Sequence, residues 1–313
     1  MIFMAKNRYR GVVFVTVIFL VSSLTGKSSY SQTDHMSAST LLKQVASELG
    51  KQKGMFALAF KNITTGETML LNEHMMFHAA STMKTPVMIE VFKQAAAGVF
   101  SLTDSVVVKN EFKSIVDSSF YQLNPADDSE PELYKRVGTK LPLSELVYQM
   151  IIMSSNLATN IIIEMVDGKK VTQTMRVLGA KDIQVLRGVE DNKAYAKGLN
   201  NTTTAYDLLV IFEKMANGKI ISDKACGDMI NILLDQKHNT IIPARLPKEV
   251  KVAHKTGSIT ALHHDSGIVF LPDGNKYVLV ILSNKLEDEN AAVTSMAKVS
   301  EMIYQYVITK KSN

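Results

Sequence analysis

VKVAHKTGSITALHHDSGIVFLPDGNKYVLVILS, residues 250–283, is the stretch whose reading decides the fold. It breaks into three short runs rich in β-branched and aliphatic residues: Val250–Thr256, Ser266–Leu271 and Lys276–Ser283. Each is too short for a stable helix and is bounded by turn residues, with Pro272-Asp273-Gly274 joining the last two, so each is read as a strand. Two further strands are expected near the other end, Met55–Asn62 and Thr68–Asn72, joined through Thr64-Thr65-Gly66-Glu67. Between the two groups lie segments of helical spacing or composition: Thr82–Ala97, Leu143–Met153, Leu157–Met165, Val171–Leu178, Ala205–Asn217 and Ser222–Leu234. Helices also open and close the pattern, at Thr40–Leu49 and about Ala291–Val307. The expected fold is α/β (α+β): an antiparallel five-stranded sheet built from both chain ends, flanked by helices, with an inserted all-helical lobe. No linker or repeat divides it, so residues 32–313 are expected to form a single catalytic domain.

The first 31 residues read as an export signal. Lys6, Arg8 and Arg10 precede an apolar run from Gly11 to Leu24, too short to span a bilayer. Ser29-Tyr30-Ser31 has the small-x-small form of a cleavage site, which places the mature start at Gln32 and the protein in the periplasm or outside the cell. Cleavage removes four cations and no acid, and the formal charge falls from +5 to +1. A mature chain this near neutrality lacks the basic footprint of a nucleic-acid binder. Cys226 is the only cysteine, so stability must come from the hydrophobic core, and a monomer is expected. At 46% hydrophobic and 21% charged, 313 residues suffice for such a core.

Three polar motifs interrupt this apolar plan. Ser81-Thr82-Met83-Lys84 places a hydroxyl and an amine one turn apart at a helix start. An amine held neutral by desolvation can take the serine proton, and the helix dipole favours the charge that develops. The pattern alone is weak: Ser295-Met296-Ala297-Lys298 repeats it inside the closing helix. Ser154-Ser155-Asn156 lies between two apolar helices, where any of the three could also serve as an N-cap. Lys255-Thr256-Gly257-Ser258 ends a strand, where the glycine could equally mark a turn.

In this order S-x-x-K, S-x-N and K-T-G are the motif set of class A β-lactamases and penicillin-binding proteins, and the chain resembles a class A β-lactamase over the whole mature sequence. The resemblance implies that Ser81 attacks the amide of a small-molecule β-lactam and Lys84 accepts its proton, directly or through water. It assigns Ser154 the proton relay to the leaving nitrogen and Asn156 the substrate's side-chain amide. Lys255-Thr256-Gly257-Ser258 would hold the substrate carboxylate, with the N–H groups of Ser81 and Ser258 as the oxyanion hole. For deacylation it points to Glu190, in Arg187-Gly188-Val189-Glu190 ahead of Thr202-Thr203-Thr204.

Departures from the family pattern cluster around the second motif and Glu190. Ser155 replaces an aspartate, the arginine and glutamate are one residue further apart, and Ala194 replaces an asparagine for which Asn192 or Asn200 could substitute. The alternative is therefore a D-alanyl-D-alanine peptidase or related penicillin-binding serine hydrolase that deacylates slowly. No cofactor is implied. A metal reading of His74, His78, His263 and His264 lacks the glutamate of H-E-x-x-H, and Asp127–Glu132 reads as a solvated loop.

Overall fold

The computed structural model describes Met1 and residues 36–310, so the export signal and its cleavage site lie outside the described residues. Helix α1 (Ala38–Leu49) starts at Ser37, whose side chain accepts from Thr40 N, and buries Leu41, Val45 and Leu49 along one face. Strands β1 (Met55–Asn62), β2 (Thr68–Leu71) and β3 (Phe77–His78) follow, then α2 (Lys84–Ala96). Short strands β4 (Ser105–Val107), β5 (Phe112–Lys113), β6 (Phe120–Tyr121) and β7 (Lys140–Pro142) lead to α3 (Leu143–Ile152), α4 (Asn156–Val166) and α5 (Gly168–Val177). The chain continues through α6 (Asn192–Ala196), β8 (Thr202–Thr203), α7 (Ala205–Ala216) and α8 (Asp223–Leu234), and ends in β9 (Lys251–Ile259), β10 (Leu262–Phe270), β11 (Lys276–Asn284) and α9 (Glu289–Thr309).

The main sheet is five-stranded, antiparallel and ordered β2-β1-β11-β10-β9, so strands from the two chain ends meet at the β1–β11 ladder. Strand alternation sorts its side chains between two cores. Ala57, Ala59, Val278, Val280 and Leu282 face the helical lobe around α2 and α7. Phe56, Leu58, Phe60, Leu279 and Ile281 pack with Leu41, Val45, Met296, Val299 and Ile303 of α1 and α9. Helix α2 is buried nearly all round, with Val87, Met88, Ile89, Val91 and Phe92 in the core. Its first residue therefore starts in the middle of the molecule.

One reading of the sequence changes here, and the repeated S-x-x-K is placed. Gly257 is not the turn after a strand: β9 runs on through Ile259, and its partner β10 begins at Leu262. The second S-x-x-K is structural, since Ser295 donates to Glu48 O and Lys298 pairs with Glu48, tying α9 to α1.

Candidate active site

Ser81 lies on a short 3-10 turn, Ala80–Met83, leading straight into α2. Ala80 before it is left-handed, φ 44°, a conformation costing about 1 kcal/mol for a residue with a Cβ. Ala80 N donates to His78 Nδ1 at 3.0 Å and Thr82 Oγ1 to Ala79 O at 2.6 Å, and these bonds hold the turn. Ser154 and Glu190 are left-handed too, both at φ 60°; of the three strained positions Ala80 and Glu190 border one cavity, and Ser154 lies behind it, bonded to Lys84.

That cavity, of about 460 Å³, is walled by Ser81, Asn156, Glu190, Asn192, Tyr195, Ser258 and Thr260 among others. Behind Ser81 the Lys84 amine is fully buried and donates to Ser154 O (2.6 Å), Ser154 Oγ (3.1 Å) and Asn156 Oδ1 (3.0 Å). Burial lowers its pKa to about 7, against the opposing pull of the Asp128 and Glu190 charges. Near neutrality it is thus present both as an ammonium and as a free base. Lys255 Nζ reaches Ser154 Oγ from the other side at 3.0 Å. Its pKa is also pushed well down, by burial first and by the neighbouring Lys84 second.

Strand β9 forms the free edge of the sheet beside the Ser81 turn. A Cβ on Gly257 would stand 3.1 Å from both Ser81 N and Thr82 N, so only glycine lets the strand run this close. Ser258 then faces the cavity, with its hydroxyl 3.1 Å from His263 Nδ1, and His263 Nε2 meets Glu289 at 2.7 Å. His264 points the other way, fully buried: Ser283 N donates to its Nδ1 and its Nε2 meets His78 O, consistent with burial lowering its pKa to about 4. His74 stacks on Tyr206 at the surface.

Glu190 enters the cavity on a loop that α4 holds down. Asn160 Oδ1 accepts from Val189 N (2.7 Å) while its Nδ2 donates to Val189 O (3.0 Å), and a Cβ on Gly188 would come within 2.4 Å of Asn160 Oδ1. Asn201 closes the loop's far end, bonded to Leu186 N and Arg187 O. Glu190 Oε1 accepts from Asn156 Nδ2 at 2.9 Å, whereas the Arg187 guanidinium goes to Leu199 O, Gly188 O and Asn200 Oδ1. Burial raises the Glu190 pKa, its bond to Asn156 opposing and nearby Asp128 and Asp127 adding to the rise. Of the two asparagines weighed in place of Ala194, Asn192 lines the cavity and Asn200 holds Arg187; Ala194 itself is buried.

The fold thus gathers Ser81, Lys84, Ser154, Asn156, Glu190 and Lys255-Thr256-Gly257-Ser258 on one cavity and the wall behind it. Sequence reading missed Asn160, although an amide one helical turn after Asn156 in an otherwise apolar helix is a usable signal. It also took Asp128 for part of a solvated loop. Asp128 is instead buried against the first turn of α4, bonded to Asn156 N and Leu157 N.

Comparison with known proteins places this geometry among relatives. The profile described as the beta-lactamase enzyme family matches residues 40–307. The extended-spectrum beta-lactamase PER-1 of Pseudomonas aeruginosa is 24% identical over 302 residues, 91% of this chain and 93% of the relative. Among solved structures, a beta-lactamase from Sphaerobacter thermophilus superposes with a TM-score of 0.74 at 25% identity, covering 86% of this chain and 97% of the other. A PBP-A mutant, seen as an acyl-enzyme complex with penicillin-G, superposes at 0.73 and 26% identity, covering 87% and 97%.

Proposed function

We infer, from the premise that this chain belongs to the beta-lactamase enzyme family, that it is a class A serine β-lactamase that opens the lactam amide through an ester on Ser81. One observation carries the reading. The hydroxyl of Ser154 lies between the amines of Lys84, at 3.1 Å, and Lys255, at 3.0 Å, behind a cavity that Ser81, Asn156 and Glu190 share.

Free-base Lys84 takes the proton of Ser81 Oγ as that oxygen bonds to the lactam carbonyl carbon. The N–H groups of Ser81 and Ser258 face the carbonyl oxygen as it gains charge, an arrangement worth on the order of 3 kcal/mol per donor. As the carbon–nitrogen bond breaks, Ser154 passes a proton to the nitrogen, drawing it back from the Lys84 ammonium. Asn156 binds the acyl side-chain amide, and Lys255, Thr256 and Ser258 bind the carboxylate. A water then attacks the ester, Glu190 takes its proton, and the carbon–oxygen bond to Ser81 breaks with return of a proton to the serine.

Export in front of this chemistry rests on the basic, apolar and small-x-small segments of residues 1–31, and places the enzyme in the periplasm or outside the cell. Among the described residues no helix is long and apolar enough to cross a membrane. A single catalytic domain from residue 32 is supported by the close packing of residues 36–310 on themselves.

The test is intact-mass spectrometry after mixing with benzylpenicillin. The wild type should carry a transient adduct of one penicillin mass and Glu190→Ala a persistent one. No adduct on either protein ends the reading. A persistent adduct on both returns the D-alanyl-D-alanine peptidase alternative, and stem-peptide cleavage then becomes the assay.

A further inference from the structure

The second motif of this chain lacks an acid, yet the helix it opens is capped by one. The first N–H groups of an α-helix have no partner inside it. Ser155 Oγ serves only the third in α4, Ala158 N, at 3.2 Å. The first two, on Asn156 and Leu157, turn to a carboxylate 28 positions before Asn156. Asp128 Oδ2 accepts from Asn156 N at 3.0 Å and Leu157 N at 2.9 Å, and its Oδ1 is 3.1 Å from Asn156 N. The carboxylate is itself fixed, by Tyr134 OH at 2.8 Å and Glu130 N at 3.0 Å, and only 8% of the residue is exposed.

We propose that Asp128 is a positioning residue for the reaction on Ser81, a cap supplied by a separate loop that fixes the backbone of Asn156 and so aims its side-chain amide between the two bases. The proposal rests on the functional reading above. Its geometry is a chain of contacts. The Asn156 amide has one orientation that satisfies both neighbours, Oδ1 accepting from Lys84 at 3.0 Å and Nδ2 donating to Glu190 at 2.9 Å. Asn156 is separated from the strained Ser154 only by Ser155, so drift of the Asn156 backbone carries both the amide and the Ser154 hydroxyl out of place. A negative group here also suits the positive end of the α4 dipole. Its charge reaches further: it is the largest single charge favouring the Lys84 ammonium, and it disfavours the Glu190 carboxylate. Removing it moves the titration of both bases to lower pH, which loss of a neutral cap does not do.

The test compares the mature wild type with Asp128→Asn and Ser155→Ala. Two quantities are measured: amide hydrogen exchange at Asn156 and Leu157, and the pH dependence of acylation by benzylpenicillin. In Asp128→Asn both amides exchange at least tenfold faster, the acylation plateau drops about tenfold, and the acid limb of the profile moves down by half a pH unit or more. Ser155→Ala leaves the acid limb where it is. If Asp128→Asn does not fold, Tyr134→Phe loosens the same carboxylate without removing it, and is expected to speed exchange at both amides and lower the plateau. Unchanged exchange, or an unchanged acid limb in a folded Asp128→Asn, overturns the proposal. A wild type that never acylates overturns the enzymatic reading instead, and the two failures are told apart by that one control.

Discussion

Lys84→Met should leave the enzyme dead towards β-lactams and at the same time more stable. In the unfolded chain Lys84 has an ordinary pKa of 10.5; burial brings it to about 7 in the fold. At pH 7 that difference opposes folding by about 4 kcal/mol. Methionine has nearly the same length and nothing to desolvate. Against this, Ser154 O, Ser154 Oγ and Asn156 Oδ1 each lose a donor, at about 1 kcal/mol apiece, the lower end of the cost of an unmet buried acceptor. Lys255 still serves Ser154 Oγ, so the net gain is about 1–3 kcal/mol. The sign of the pH dependence follows from the depressed value. The cost is full below pH 7, shrinks between 7 and 10.5, where the folded lysine has already released the proton that the unfolded one still holds and release becomes cheaper as pH rises, and is nearly gone by 10.5. Urea denaturation of wild type and variant at pH 7 and pH 10 measures this directly, as does a thermal midpoint moving about 2–4 °C per kcal/mol. A variant less stable than wild type at pH 7, or a gap of equal size at both pH values, refutes the claim that an uncompensated buried amine is held here for function.

Two further outcomes follow from the same geometry. Single-turnover acylation, which needs Lys84 as the free base, should fall about tenfold per pH unit below a midpoint near 7, and a rate that stays flat down to pH 5 removes Lys84 as the proton acceptor. Gly257→Ala places a methyl 3.1 Å from Ser81 N and Thr82 N and 3.2 Å from the Ala80 Cβ. Separating β9 from the Ser81 turn should slow acylation about 100-fold and cost about 1–3 kcal/mol, and a variant within threefold of wild type in stopped-flow acylation contradicts the close approach.

The stability cost at Lys84 is one instance of a wider pattern. Ala80, Ser154 and Glu190 are left-handed without being glycine, at φ 44°, 60° and 60°; Ala80 and Glu190 line the cavity, and Ser154 takes the two lysine amines behind it. Lys84 and Lys255 meet on one hydroxyl although the first lowers the affinity of the second for a proton. Strained backbone and paired like charges persist only where surrounding structure holds them. Here the two cores on either side of the sheet do so, with α2 running through the larger of them.

Local pattern alone determined the elements and their grouping. Short apolar runs in Met55–Asn62 and Lys276–Ser283, and turn residues at Gly66 and Gly274, are nearest-neighbour signals, so the five strands of the main sheet and the helices between them were readable directly. The three ordered motifs were readable for the same reason, because S-x-x-K and K-T-G each set side-chain geometry within one turn or one strand. What folding alone decided was every contact between distant segments. Ser295-Lys298 spells the same pattern as Ser81-Lys84, and only packing sends one to Glu48 and the other beside Ser154. Asn192 and Asn200 are alike in sequence terms, but the path of one loop puts the first on the cavity and the second on Arg187. Asp128 lies in a polar run that no local rule marks as buried; its burial depends on α4 starting with two N–H groups that Ser155 does not cap, a need met only once the two segments are side by side.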